Sequence, residues 1–396
     1  MACQSADEHP LSHNKTLDTK KLRIVYILHS LSIGGGLERI ETEKCNALAA
    51  TGRYEVTVVC ACQKRREDNA FLLSNEVEEV CLGEVFNPKH SFRSRPLSFI
   101  IGHWQWRRKA TRKMLAVLDE LQPDIIVTTL NYMPDGFRWF RAKTIIECHG
   151  NRQTAISTRL FPWYSEWMTR RQERAASVVV TLTAEDAAQW KTARRVETIP
   201  NFINLQCCAT PDYSSCRVVA LGRLCDQKGF DMLIDAWPVV TQKHPDWHLD
   251  IYGEGELRNG LQQQIDCLGL SKNIALLPFT KDIVKAYTSA AFYVLSSNYE
   301  GFGMVLVEAM RCGLPCVAFD CPSGPREIIS DGHDGILVTF RDLPREERVN
   351  NLAAALCKMI ESDSNLSRMG EEARKKSMKY TATNILPMWE KLFRSI

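Results

Sequence analysis

Twelve short apolar or β-branched runs, with helical patterns between several of them, constrain this chain more than any other feature of its sequence. They cover residues 23–29, 54–60, 77–82, 124–130, 144–147, 177–182, 217–221, 247–252, 273–277, 290–295, 315–319 and 335–338. Runs of this length suit strands buried on both faces of a parallel sheet. Strands alternating with helices build doubly wound α/β layers. In 396 residues the pattern exceeds one core, so two such domains are expected. The expected division is a polar tail over 1–20, a first domain over 21–205, a linker over 206–215, a second domain over 216–380 and an amphipathic end helix over 381–396.

Sheets of this kind place ligands beyond the carboxyl ends of their strands, and several of the turns there carry chemistry. After the run 290–295 comes a turn with Gly301 and Gly303, then a helix from about Met304. Without Cβ atoms the turn's NH groups and the first NH groups of the helix are free to face an anion, phosphate above all. Glu300 precedes the glycines and Glu308 follows in the helix. A carboxylate accepts hydrogen bonds from adjacent hydroxyls, so the pair suits a sugar on one flank of a phosphate and a ribose on the other. Helix starts often carry Glu, and the spacing alone does not separate the two readings.

The run 217–221 ends in Gly222-Arg223-Leu224-Cys225-Asp226-Gln227-Lys228-Gly229. Arg223 can fork onto two phosphate oxygens while Lys228 supplies a compact charge, the two kinds of stabilisation a diphosphate leaving group needs. As an isolated pair they would equally be surface cations. The run 247–252 ends in Gly253-Glu254-Gly255-Glu256, and Pro278-Phe279-Thr280 follows the next. In the first half, Gly34, Gly35 and Gly36 follow the run 23–29 and open a helix with Glu38, Arg39, Glu41, Glu43 and Lys44 above Ile40, Leu48 and Ala49. Neither GxGxxG in register nor the GK[ST] of a P-loop is present, which leaves a phosphate-facing loop or a tight strand-to-helix turn. His149 ends the run 144–147 beside Gly150. A lone histidine is more often structural than catalytic, yet this one stands where ligands bind. Thr181 and Thr183 read as interdomain contacts or as helix caps.

Charge is uneven along the chain. Residues 1–205 hold 29 Lys and Arg against 23 Asp and Glu, and the remainder holds 21 against 24. A basic first half suggests an acidic partner. Residues 92–113 mix Phe92, Phe99, Ile101, Trp104 and Trp106 with Arg93, Arg95, Arg107, Arg108, Lys109, Arg112 and Lys113, with no acid between. That composition suits an anionic membrane face, and also an ordinary basic helix. No apolar run reaches a spanning length of ~18 residues. The first twenty residues lack the apolar core of a secretory signal, so a cytoplasmic protein with reduced cysteines is expected. The fifteen cysteines show no CxxC and no second ligand pair at zinc spacing, and no structural metal is expected.

Glu300-GFGMVLV-Glu308-AMRCGLP resembles the donor-binding signature of retaining glycosyltransferases of the GT-B fold, family 4, and the likeness continues through Ser323-Gly324-Pro325-Arg326-Glu327 and DGHDGILV over 331–338. GRxxxxKG over 222–229, the GxGxE turn and Ile199-Pro200-Asn201 are similar to further segments of that family, although Phe202 and Ile203 replace its Gly-Val. The resemblance implies two Rossmann-like domains, an end helix that returns to the first of them, and sugar transfer with retention of configuration. It implies that Arg223 and Lys228 neutralise the donor diphosphate, that Glu300 holds the sugar and Glu308 the ribose, and that His149 contacts the sugar. Gly35, Gly36, Gly222, Gly253, Gly301, Phe302, Gly303, Met304 and Val305 complete the donor-binding set. The donor would be a nucleotide-diphosphate hexose, in its UDP form, used without a metal ion or other cofactor. The acceptor would be a glycan or a polyprenyl-diphosphate-linked saccharide of surface polysaccharide, lipopolysaccharide or capsule synthesis, met at the cytoplasmic face of the inner membrane. No nucleic acid partner is expected. A nucleotide-sugar epimerase of the same architecture and a non-catalytic protein with a relic donor site are the competing readings; the first needs no acceptor, and the second conflicts with the intact Arg223, Lys228, Glu300 and Glu308.

Overall fold

A computed structural model describes residues 21–84, 96–129, 141–157 and 161–396. The tail over 1–20, residues 92–95 of the basic aromatic segment and Leu130 of one expected strand lie outside them. The first half contains β1 (Leu22–Leu28), α1 (Gly36–Ala49), β2 (Tyr54–Cys60), β3 (Val77–Cys81), α2 (Pro96–Leu121), β4 (Ile125–Thr129), β5 (Lys143–Cys148), α3 (Arg152–Ser157), α4 (Pro162–Ala175), β6 (Val178–Thr181), α5 (Ala184–Ala187) and β7 (Val196–Thr198). The second contains β8 (Arg217–Leu221), α6 (Phe230–Lys243), β9 (His248–Tyr252), α7 (Arg258–Cys267), β10 (Ile274–Leu277), α8 (Ile283–Thr288), β11 (Phe292–Leu295), α9 (Met304–Arg311), β12 (Cys316–Phe319), α10 (Pro325–Ile328), β13 (Gly335–Val338), α11 (Arg345–Glu361), α12 (Asp363–Ser377) and α13 (Ala382–Ser395).

Each half forms one parallel sheet. The orders are β3-β2-β1-β4-β5-β6-β7 and β10-β9-β8-β11-β12-β13. Ile24, Tyr26 and Leu28 of β1 enter one apolar cluster while Val25 and Ile27 enter another, so the sheet is buried on both faces. This is why its strands read as unbroken apolar runs rather than alternating ones. In both sheets the chain order reverses beside the first strand, between β1 and β4 and between β8 and β11, which opens a crevice at the strand ends. The loops carrying the candidate residues leave β1, β5, β8, β9 and β11.

Helix α13 lies on the first sheet. Ile385, Trp389, Leu392 and Phe393 join its apolar cluster, and the Phe393 ring stands edge-on to Tyr54 at 5.7 Å. The strand β7 carries no clear apolar signal, because its three residues are partly exposed at the sheet edge.

Candidate active site

Two loops of the second domain are tied into one surface. Asn298 NH donates to Gln227 O at 2.8 Å, Gln227 Nε2 to Tyr299 O at 3.1 Å and Ser296 Oγ to Lys228 O at 2.9 Å. Lys228 Nζ then donates to Glu300 Oε1 at 2.7 Å, and Ser297 Oγ reaches the same oxygen at 2.6 Å. Arg223 is exposed at the end of β8 and its side chain has no hydrogen-bond or ion-pair partner among the described residues. Gly303 takes φ 100° as the N-cap of α9, a conformation open to glycine with little strain. The NH groups of Gly303, Met304 and Val305 have no acceptor among the described residues. The loop after β8, with Arg223 and Lys228, and the first NH groups of α9 thus lie at neighbouring strand ends, a setting suited to an anion.

Two of the remaining glycines, Gly301 and Gly253, serve close backbone approach. A Cβ at Gly301 would lie 1.9 Å from the carbonyl oxygen of His149, so this turn abuts the end of β5 in the other domain. A Cβ at Gly253 would meet the Gly222 carbonyl at the same distance. Above Gly34 and Gly36 the space is open, and Gly35 is the N-cap of α1 in extended conformation. The Phe302 side chain is buried edge-on to Tyr380 at 5.4 Å and belongs to the core, which leaves only its backbone for a ligand. Thr183 resolves as a helix cap, its hydroxyl accepting the Asp186 NH at 3.1 Å.

Glu308 is buried and engaged from both sides. Arg39 of α1 reaches across from the first domain to Oε1, and Tyr287 OH donates to Oε2 at 3.2 Å. Burial opposes the Arg39 charge, but the Glu308 carboxylate outweighs it and raises the guanidinium pKa above its usual value. Other contacts join the domains: Asn151 Nδ2 to Ser323 Oγ at 2.8 Å, and the Ala184 and Glu185 NH groups to the Glu327 carboxylate at 3.1 and 3.0 Å.

His149 stands at the junction. It lines a cavity of about 970 Å³ in the first domain, walled by α2 and α4 and floored by the ends of β1 and β5. Its Nε2 lies 2.6 Å from Glu41 Oε1 and 3.2 Å from Glu147 Oε1, ion-pair separations without hydrogen-bond alignment. Burial pushes the imidazole pKa down, but the Glu147 and Glu41 carboxylates prevail and raise it to about 9. Burial likewise opposes the Glu147 charge, yet Lys44 and His149 lower its pKa to about 2.

The sequence set Glu41 and Lys44 on α1 above Ile40, Leu48 and Ala49 without a partner, and the structure buries both, at 1% and 2%. Lys44 Nζ donates to Glu41 Oε1 at 3.0 Å and to both oxygens of Glu147. Their burial depends on Glu147, a charge arriving from a distant strand, and nothing local to α1 signals it. Glu41, Glu147 and His149 offer ligand atoms within 4.8 Å of one another, as a metal site would, but the Lys44 ammonium already binds both carboxylates.

The sheet orders and the crevice at the strand ends define a protein of two parallel-sheet, Rossmann-like α/β domains. Two family models cover both halves: Glycosyltransferase Family 4 over residues 34–206 and Glycosyl transferases group 1 over 215–376. The chain belongs to the GT-B glycosyltransferases of the family 4 type. It is 24% identical over 382 residues to an uncharacterized glycosyltransferase of Haemophilus influenzae, covering 93% of this chain and 99% of that one. It is 36% identical over 174 residues to the amylovoran biosynthesis glycosyltransferase AmsD of Erwinia amylovora, spanning 44% of this chain and less than half, 46%, of that relative. A crystal structure of a Staphylococcus aureus TarM variant, in complex with fondaparinux, alpha-GlcNAc-glycerol and UDP, shares the fold with a TM-score of 0.73 and 17% identity, covering 94% of this chain and 99% of that one.

Proposed function

We propose that this glycosyltransferase moves a hexose from a UDP-sugar, with retention of configuration and without a metal ion, to a glycan or lipid-linked saccharide of surface polysaccharide synthesis. The observation that carries the reading is the placement of the unpaired Arg223, of Lys228 and of the free NH groups of Gly303, Met304 and Val305 at neighbouring strand ends. Fixed cations and a helix start neutralise a diphosphate as the glycosidic bond lengthens. The UDP in the TarM complex and the polysaccharide named for AmsD support the donor and the acceptor class.

The roles follow from position. Arg223 and Lys228 take the diphosphate. Glu300, held by Lys228 and Ser297, presents its carboxylate to the sugar hydroxyls. Glu308 takes the ribose hydroxyls, and Arg39 and Tyr287 fix its orientation. As the C1–O bond to the diphosphate breaks, the acceptor oxygen bonds C1 on the same face and its proton passes to the departing phosphate oxygen. The acceptor enters by the cavity beside His149. In an assay of UDP-sugars in EDTA, the intact protein transfers sugar while Arg223→Ala and Lys228→Ala do not; loss of activity in EDTA overturns the metal-free reading.

The lipid side of the proposal has its own support. No helix among the described residues is long and apolar enough to cross a membrane. Helix α2 exposes Ile101 and Trp104, with the Arg108 guanidinium 4.5 Å from the Trp104 ring centre. Helix α4, which the sequence reading passed over, exposes Trp163 and Trp167, and Arg171 lies over the latter. Trp106 points inward instead, donating to Glu84 O at 2.9 Å. Exposed rings mixed with arginines suit the headgroup region of the cytoplasmic leaflet. Charge reversal at Arg107 and Arg108 abolishes co-sedimentation with anionic liposomes; unchanged co-sedimentation and unchanged activity on a lipid-linked acceptor overturn it.

A further inference from the structure

Four charged side chains are packed together under the cavity floor, and gripping a diphosphate requires none of them. Glu41 and Lys44 come from α1, Glu147 from the end of β5 and His149 from the residue after next. Burying charge is costly unless it is paired, and here two carboxylates face an ammonium and an imidazole. The group is neutral only when the imidazole carries its proton. The raised imidazole pKa, about 9, agrees with that count.

The chain of contacts has a backing and an unsatisfied end. Trp389 of α13 covers Lys44, whose Nζ lies 4.8 Å from the indole centre and 5.3 Å from the Tyr26 ring centre. At the other end His149 Nδ1 has no hydrogen-bond partner among the described residues, although the ring lines the cavity and its carbonyl abuts the donor loop at Gly301. The other charged side chains lining the cavity are Glu38, Arg107 and Arg152, and Arg152 is already paired with Glu166 and Glu173.

We propose that Glu41, Lys44 and Glu147 are positioning residues that hold the His149 ring so that its free nitrogen donates a hydrogen bond to a substrate oxygen at the junction of donor loop and cavity, with Trp389 sealing the far side. The inference rests on the functional reading above in taking that oxygen to be the donor sugar's. A fixed donor at the reacting sugar favours one placement of a hydroxyl over its epimer, because the wrong epimer leaves the buried N–H unpaired. An imidazole held in its cationic form is not a general base, in keeping with a reaction in which the departing phosphate takes the proton.

The test uses the full chain with two readouts. Lys44→Met with Glu147→Gln removes one charge of each sign and so spares the fold an unpaired charge. Transfer falls by on the order of ten- to a hundred-fold in kcat with the donor KM little changed, as expected for misplacement of a contact group. In a His149→Gln background the same pair changes kcat hardly at all, because the ring it positions is gone. The second readout is nitrogen NMR of labelled histidine, assigned by the signal lost in His149→Gln. Wild type holds a cationic His149 ring midway between the ordinary 6.5 and about 9, and in the double variant, which keeps only Glu41 beside the ring, the titration moves back towards the ordinary value. Wild-type kcat in the folded double variant, equal losses in both backgrounds, or a wild-type ring that titrates at its ordinary value overturns the inference. Absence of transfer from every nucleotide sugar by intact protein defeats the functional reading instead, and the NMR result still decides the charge chain.

Discussion

Lys228 Nζ donates a 2.7 Å hydrogen bond to Glu300 Oε1, so the ammonium proposed for the diphosphate and the carboxylate proposed for the sugar form a single unit. Two loops that are 72 residues apart in sequence bring them together. Lys228→Ala therefore removes a phosphate charge and frees Glu300 to turn. Its kcat is expected to fall by about 3 kcal/mol in barrier, more than a hundred-fold, by analogy with loss of one oxyanion donor. Arg223→Ala, which disturbs no partner, should match that loss without altering thermal stability. A melting curve beside the kinetics separates the two variants.

Gly301→Ala probes the meeting of the domains. Its Cβ would lie 1.9 Å from the His149 carbonyl oxygen, so the loop and β5 have to part. Transfer is expected to drop by on the order of a hundred-fold, the scale of a small misplacement at a reacting centre. Solution scattering should show a wider cleft. Full activity in this variant would contradict the approach of Gly301 to His149.

The end helix is tied to the first domain through Trp389, which is 2% exposed. Trp389→Ala is expected to cost ~3–5 kcal/mol, the range for deletion of a large buried side chain. The drop in melting temperature measures it, with Met388→Ala on the partly exposed side of the same helix as the comparison.

The buried charges set a pH window for stability. The His149 pKa is raised from 6.5 to about 9, so its contribution is complete below 6.5 and disappears as pH climbs through 9. Glu147 is lowered from 4.5 to about 2, so its contribution is complete above 4.5 and disappears as pH falls towards 2. Between 4.5 and 6.5 both are present in full. Melting temperatures across pH should decline on the alkaline side of that window, and His149→Gln should flatten the alkaline decline.

What the sequence made legible follows from where the signal is stored. Strands buried on both faces announce themselves as apolar runs, and most were readable within a residue or two; β2 and β13 coincide with the runs at 54–60 and 335–338. β7, a three-residue edge strand, carries no such run. Arg223, Lys228, Glu300 and Glu308 stand out in the sequence as candidates because they sit on short segments near glycines. Arg39 was not assigned to Glu308, since 269 residues separate them and a charge near a helix start usually faces water. The burial of Glu41 and Lys44 was not legible either, because it depends on Glu147, 103 residues beyond Lys44. Phe302 shows the opposite limit: its place in the motif is plain, but only packing against Tyr380 shows that the ring belongs to the core.

Calorimetry of UDP with intact protein in EDTA tests the cationic grip most directly. The account predicts saturable binding by wild type that weakens by on the order of a hundred-fold in Arg223→Ala and in Lys228→Ala. No binding by the intact chain, or equal binding by all three proteins, would contradict it.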